Sequence, residues 1–154
     1  MGFGVIEQDP HQHYHALDWG IIRTSQKDSE ASRLAQLQEA MQELIRQTKP
    51  DMASIEKLFF FRNAKTLMPV SQARGVILVT FYQAGLSYVE YTPMQVKLNM
   101  TGYGRSSKTD IQQMVQQLLN MEEPVKSDDA ADALAIALSC AFEQQSTSLL
   151  AARF

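Results

Sequence analysis

The sequence holds a single cysteine, Cys140, in 154 residues. No disulfide can form within the chain, and a reducing compartment suits it. Long apolar runs are missing as well: none approaches the roughly 20 residues that cross a bilayer. The first residues lack the basic, apolar and small-residue succession of a secretory signal, so the expected location is the cytoplasm. Repeats and low-complexity tracts are absent too. Acid is scarce in one place. Residues 57–109 carry seven basic side chains and one acid, Glu90, inside a chain of net charge −3. A basic middle in an acidic chain points to a face for an anion such as a nucleic-acid backbone. The plainer account is a solvated surface.

What is present argues for one globular domain. Apolar content of 45% with 20% charge is enough to bury a core and too apolar for disorder. Residues 2–7 ("GFGVIE") read as a strand, "QDPHQ" as a turn, and 13–23 as a second or third strand. From Ser29 the apolar period becomes helical, through Leu34, Leu37, Met41, Leu44 and Ile45. Ser29 or Ser32 is the expected cap and Pro50 the far limit. Residues 52–56 ("MASIE") read as a buried strand ending in a carboxylate. "KLFFFRNAK" follows as an aromatic loop. Residues 70–83 read as a helix, 86–91 as a strand, and 93–99 as a short helix started by Pro93. A glycine-bearing loop leads to a helix over 108–119, capped by Ser106 or Ser107. An acidic loop then enters the last helix. The domain is expected to span residues 1–143, with 144–154 a polar tail. Strands first, then helices alternating with strands, imply an α/β layered domain with a mixed sheet.

The stretch "SDDAADALAIALS" carries the chemistry. Asp129 and Asp132 are three residues apart, which puts them on one helix face. Two carboxylates that close repel each other, and a hard divalent cation such as Mg²⁺ relieves the repulsion. Glu56, at the end of its strand, is the candidate third ligand. Carboxylates of this kind hold Mg²⁺ for phosphodiester hydrolysis. The competing account is structural: an Asp at a helix start caps it and suits its dipole. The histidines of "HQHYH" (His11, His13 and His15) would share a strand face. They read as polar hairpin residues, or as a Zn²⁺ or Ni²⁺ site. Cys140 reads as a small core residue.

"IEKLFFFRNAKT…SQARGV", "YTPMQVKLNMTGYGRSSKTDIQQMV", "DDAADALAIA", "GFGVI" and "DWGIIRT" occur in the order and spacing of one family. By them the chain resembles the RuvC family of Holliday-junction resolvases, from about residue 2 to 142, in details most like its cyanobacterial members. The resemblance implies a ribonuclease-H-like three-layer fold, a five-stranded mixed sheet flanked by helices. It implies a homodimeric, Mg²⁺-dependent endonuclease of DNA recombination and repair that nicks two opposed strands of a four-way DNA junction. Two Mg²⁺ ions per site, with Mn²⁺ as a substitute, and work alongside the RuvA and RuvB branch-migration proteins belong to the same implication. By position it makes Glu56, Asp129 and Asp132 catalytic and metal-binding, and leaves Asp128 as the cap. It matches Phe59 to an aromatic that inserts against unstacked bases. Lys97 and Lys108 match basic residues near the scissile phosphate. Arg62, Arg74 and Arg105 are phosphate-contact candidates. For Phe60 and Phe61 a core position is the preferred account.

The family pattern starts with a strand reading roughly Gly-Ile-Asp-Pro-Gly, and this sequence starts "MGFGVIEQ". The first strand and its catalytic Asp are therefore expected to be missing from the middle of the sheet. Asp9-Pro10 lies in the hairpin turn and does not replace them. Three carboxylates where the family uses four imply a weakly active or inactive chain. The expected function is junction-resolving endonuclease. The alternative is a junction-binding protein with impaired catalysis, and a third reading is a ribonuclease-H-fold nuclease for another DNA or RNA substrate.

Overall fold

The computed structural model describes the backbone of residues 1–57 and 64–151 and the side chains of 1–57 and 67–145. Strand β1 (Gly2–Gln8) and strand β2 (Tyr14–Ile21) pair antiparallel, Gly2 opposite Ile21 and Gln8 opposite Tyr14. The register slips after Val5, leaving Leu17 as the extra residue on β2. Asp9 builds the turn. Its Oδ1 accepts the amides of His11 and His13, each at 2.8 Å, and Gln12 turns through φ 69°. His11 and His13 therefore lie in the turn and only His15 lies on a strand, so the three do not share a strand face as expected. Asp9 Oδ2 faces His13 Nδ1 at 3.3 Å and His15 Nε2 at 3.4 Å.

Strand β3 (Ala53–Glu56) pairs with strand β4 (Tyr88–Tyr91). Among the described residues the two strand pairs share no hydrogen bonds, so the mixed sheet takes the form of two two-stranded pieces.

The chain divides into two compact units. One comprises Met1–Ile21, Ser54–Glu56 and the chain from Val89 onward; the other comprises Ile22–Ala53 and Lys57–Tyr88. The second unit packs helix α1 (Glu30–Thr48) on helix α2 (Ala64–Gln83). Ser29 caps α1 by accepting the Ser32 amide, and Lys49 closes it in the left-handed conformation. Helix α2 starts before the expected 70–83 and takes in Pro69, which removes one amide donor from its ladder. The predicted loop residues 58–63 lie outside the described residues.

In the first unit, helix α3 (Pro93–Thr101) starts with a Thr92–Gln95 capping box and Pro93. Helix α4 (Lys108–Leu118) starts with a Ser107–Asp110 box. Helix α5 (Asp128–Ala151) is the core of this unit. Ala130, Ala131, Leu134, Ala135 and Leu138 are fully buried in it, and Val115, Ile111, Met100 and Tyr91 of the other elements are buried as well. Strand β1 lies directly on α5 because its glycines have no side chain. A Cβ on Gly4 would stand 2.7 Å from Leu134 Cδ2, and one on Gly2 would strike the backbone carbonyl of Asp129. The Tyr91 hydroxyl donates to Glu143 Oε2 at 2.8 Å, and burial pushes its pKa up. Cys140 is buried, as expected. The helix continues beyond Glu143 to Ala151, where the sequence reading has a polar tail. Gln145 holds this part to the hairpin, accepting from Tyr14 Oη at 3.2 Å and donating to Gln12 Oε1 at 2.6 Å.

Candidate active site

The start of α5 decides how its three acids are used. Ser127 is the cap: its Oγ accepts the Ala130 amide at 3.4 Å and its carbonyl accepts the Ala131 amide at 2.9 Å. Asp128 is then the first helical residue, and its side chain is free for another task. This corrects the expectation that Asp128 is the cap. Its Oδ1 accepts from Gln112 Nε2 at 2.9 Å, and its Oδ2 lies 3.0 Å from Lys108 Nζ. The same ammonium stands 3.7 Å from Asp132 Oδ2, one turn further along α5. Lys108 and Gln112 are four apart on α4, and Asp128 and Asp132 four apart on α5, so one face of each helix meets the other.

Glu56 completes the site at the end of β3. Burial raises its carboxyl above the ordinary range, and the charge of Asp132 raises it further. Asp132 is also raised, first by burial; Lys108 pulls it down while Asp128 and Asp129 push it up. Asp128 is lowered, chiefly by the hydrogen bond from Lys108, and Lys108 is raised chiefly by Asp128. Partly desolvated carboxylates that repel one another, with a cation drawn in beside them, form a site that favours added positive charge.

Among the described residues no three His, Cys, Asp or Glu side chains converge closely enough to enclose an ion. A closed cage is not what Mg²⁺ needs, since it is ordinarily held by one or two carboxylates, with water and substrate phosphate in the other positions. Glu56 and Asp132 supply hard oxygen donors, Glu56 feeling the Asp132 charge, and Asp129 adds its charge to Asp132 from one turn earlier. The residues fit one hard divalent cation on an open site.

Of the predicted cations, Lys108 reaches the acids. Lys97, half-buried on α3, and Arg105, exposed between α3 and α4, belong to the same unit. Arg74 is half-buried on α2 in the other unit. Phe59 and Arg62 lie outside the described residues. Sequence reasoning missed Gln112 and the use of Asp128. The visible signal was the four-residue spacing of Asp128 and Asp132 set against Lys108 and Gln112, and it becomes meaningful only once the two helices are known to face each other. No helix among the described residues is long and apolar enough to cross a membrane.

The family described as "Crossover junction endodeoxyribonuclease RuvC" matches residues 1–140. The chain is 45% identical over 137 residues to the protein of that name from Caldicellulosiruptor saccharolyticus, covering 89% of this chain and 82% of the relative. It is 42% identical over 144 residues to that of a Synechococcus strain, covering 94% and 92%. The two identities are close, so they do not set a cyanobacterial subgroup apart. Thermus thermophilus RuvC superimposes with a TM-score of 0.87 at 30% identity, covering 95% of this chain and 89% of that one. The same protein in complex with a Holliday junction substrate superimposes with a TM-score of 0.85 at 28% identity, covering 94% and 88%. The fold is thus the ribonuclease-H-like one, and the chain belongs to the RuvC family of crossover junction endodeoxyribonucleases.

Proposed function

We propose that the protein resolves four-way DNA junctions by cation-assisted phosphodiester hydrolysis, with Glu56 and Asp132 as the carboxylates at its centre. The observation that carries this is the Lys108 ammonium held 3.7 Å from Asp132 and 3.0 Å from Asp128 at the start of α5, with Glu56 close enough to feel the Asp132 charge. The Thermus relative bound to a Holliday junction supports the substrate. Mg²⁺ is the expected cation, with Mn²⁺ as substitute; Glu56 and Asp132 would hold it, and Asp129 adds a third carboxylate. When bound, the cation polarises a phosphoryl oxygen and makes hydroxide available near neutral pH. In the reaction a water oxygen forms a bond to phosphorus while the bond to the leaving sugar oxygen breaks. Lys108 supplies positive charge to the phosphoryl oxygens as negative charge builds on them. Lys97, Arg62, Arg74 and Arg105 neutralise flanking phosphates. Phe59 stacks on an unpaired base, an interaction worth about 1–3 kcal/mol in single-strand binders. Two opposed nicks call for a homodimer, and RuvA and RuvB are the expected companions in the cytoplasm.

A second reading keeps junction binding and loses efficient cleavage. It is favoured by the absence, among the described residues, of three converging carboxylates. The expectation is accordingly slow cleavage by this chain alone. The test uses a labelled four-way junction, linear duplex and RNA–DNA hybrid, titrated with Mg²⁺ or Mn²⁺, against the parent, Glu56→Gln and Asp132→Asn. Slow, cation-dependent nicking of the junction, lost in both variants while binding persists, supports the nuclease. No nicking by the parent with intact junction binding supports the second reading. Equal action on all three substrates rejects both.

A further inference from the structure

The Asp128 carboxylate is held at both oxygens by one face of α4: Gln112 Nε2 on Oδ1 at 2.9 Å and Lys108 Nζ on Oδ2 at 3.0 Å. That leaves Asp128 no oxygen for a cation unless it gives up a partner. The ammonium it holds also reaches Asp132 Oδ2 at 3.7 Å. We propose that Asp128 is a positioning residue that keeps Lys108 at the edge of the Glu56–Asp132 pair, where the ammonium stands in for a divalent cation and moves on to the substrate phosphate once that cation arrives. The proposal rests on the assignment of Glu56 and Asp132 as cation-holding residues.

The chemistry of the two partners supports the exchange. A lysine ammonium carries three donors on a flexible stem, so it can keep Asp128 with one and redirect another. A divalent cation held by Asp132 would repel an ammonium that now stands 3.7 Å from Asp132 Oδ2. Exposure makes the Asp132 contact easy to give up. The side chains of Lys108, Asp128 and Asp132 are 50%, 63% and 55% exposed, and exposed pairs of this kind are weak. The Asp128 contact is the stronger, being shorter and braced by Gln112. Lys108 therefore loses its outer partner first and stays within one side-chain length of the site.

The experiment is a cycle of Mn²⁺ affinities on the DNA-free protein, read by electron paramagnetic resonance, for the parent, Lys108→Gln, Asp128→Asn and the double variant. Removing the competing ammonium in Lys108→Gln should tighten Mn²⁺ binding by roughly two- to fivefold, the range of one exposed ion pair. Asp128→Asn should weaken Mn²⁺ binding in the parent, because the released ammonium settles on Asp132. In the Lys108→Gln background the same change should have a clearly smaller effect. Equal weakening in both backgrounds would make Asp128 a simple charge and overturn the proposal. A second readout is the ¹⁵N resonance of the Lys108 ammonium, expected to be protected from exchange in the parent and lost in Asp128→Asn. Protection unchanged by the substitution also overturns it. If no variant binds Mn²⁺, the cation site itself has failed, and the ammonium resonance still decides whether Asp128 holds Lys108.

Discussion

Glu56, Asp132 and Asp128 sit within one site and respond to pH in opposite ways. Unfolded, each carboxyl returns to about 4. Glu56 and Asp132 are held above that value, Glu56 by burial and then by the Asp132 charge, Asp132 by burial first. Between the unfolded and the folded pKa the native protein binds more protons at these two groups, so their contribution to stability falls as pH rises through that window. Asp128 is held below the ordinary value, chiefly by Lys108, so its contribution is present above that value and is lost as pH falls through the folded pKa. Glu56→Gln should therefore raise the cation-free melting temperature at neutral pH, read by calorimetry. Added Mg²⁺ should stabilise the parent and not the variant; stabilisation of both alike would contradict the site. Lys108→Ala should slow cleavage by roughly 10²–10³-fold, the usual effect of removing a donor to developing charge. Quench-flow nicking at saturating junction measures it.

At the scale of elements, the site depends on how closely β1 lies on α5. Gly4→Ala places a methyl 2.7 Å from Leu134 Cδ2 and 3.0 Å from the Leu134 amide nitrogen. Leu134 is fully buried, and its backbone cannot give way. The cost should be about 1–3 kcal/mol, as for overpacked cores, measured by urea unfolding. Most of this architecture was legible in the sequence, because its signals are local. The caps Ser29 and Ser107, the helix-starting Pro93 and the apolar period of each amphipathic helix stand close together along the chain. The start of α2 was not legible, since Pro69 reads as a helix break and the helix includes it. Nor was the end of α5, whose polar run of glutamine and serine looks like a tail until Gln145 meets Tyr14, 131 residues away in the chain. The candidate site followed the same rule. Asp129, Asp132 and Glu56 stood out as candidates by residue type and position, whereas the contacts of Asp128 with Gln112 and Lys108 needed the facing of α4 on α5.

For the whole molecule, the proposed function assigns the holding of DNA to the basic middle and its cutting to the acidic start of α5. Seven basic residues in 57–109 should make junction affinity steeply salt-dependent, with a slope that falls by about one for each phosphate-contacting cation removed. Fluorescence anisotropy across a salt series, with Lys97→Ala and Arg105→Ala, reads this; unchanged slopes would assign both residues to solvent. The sheet bears on the proposed catalysis too. With β1–β2 and β3–β4 sharing no hydrogen bonds among the described residues, Glu56 reaches the site from one strand pair and the glycines that seat α5 from the other. The most direct measurement is cleavage of a four-way junction at saturating Mn²⁺ by the parent and by Asp132→Asn, with junction binding followed in parallel. The account predicts slow cleavage by the parent, none by the variant, and the same affinity for both. Cleavage by Asp132→Asn at the parent's rate would contradict it.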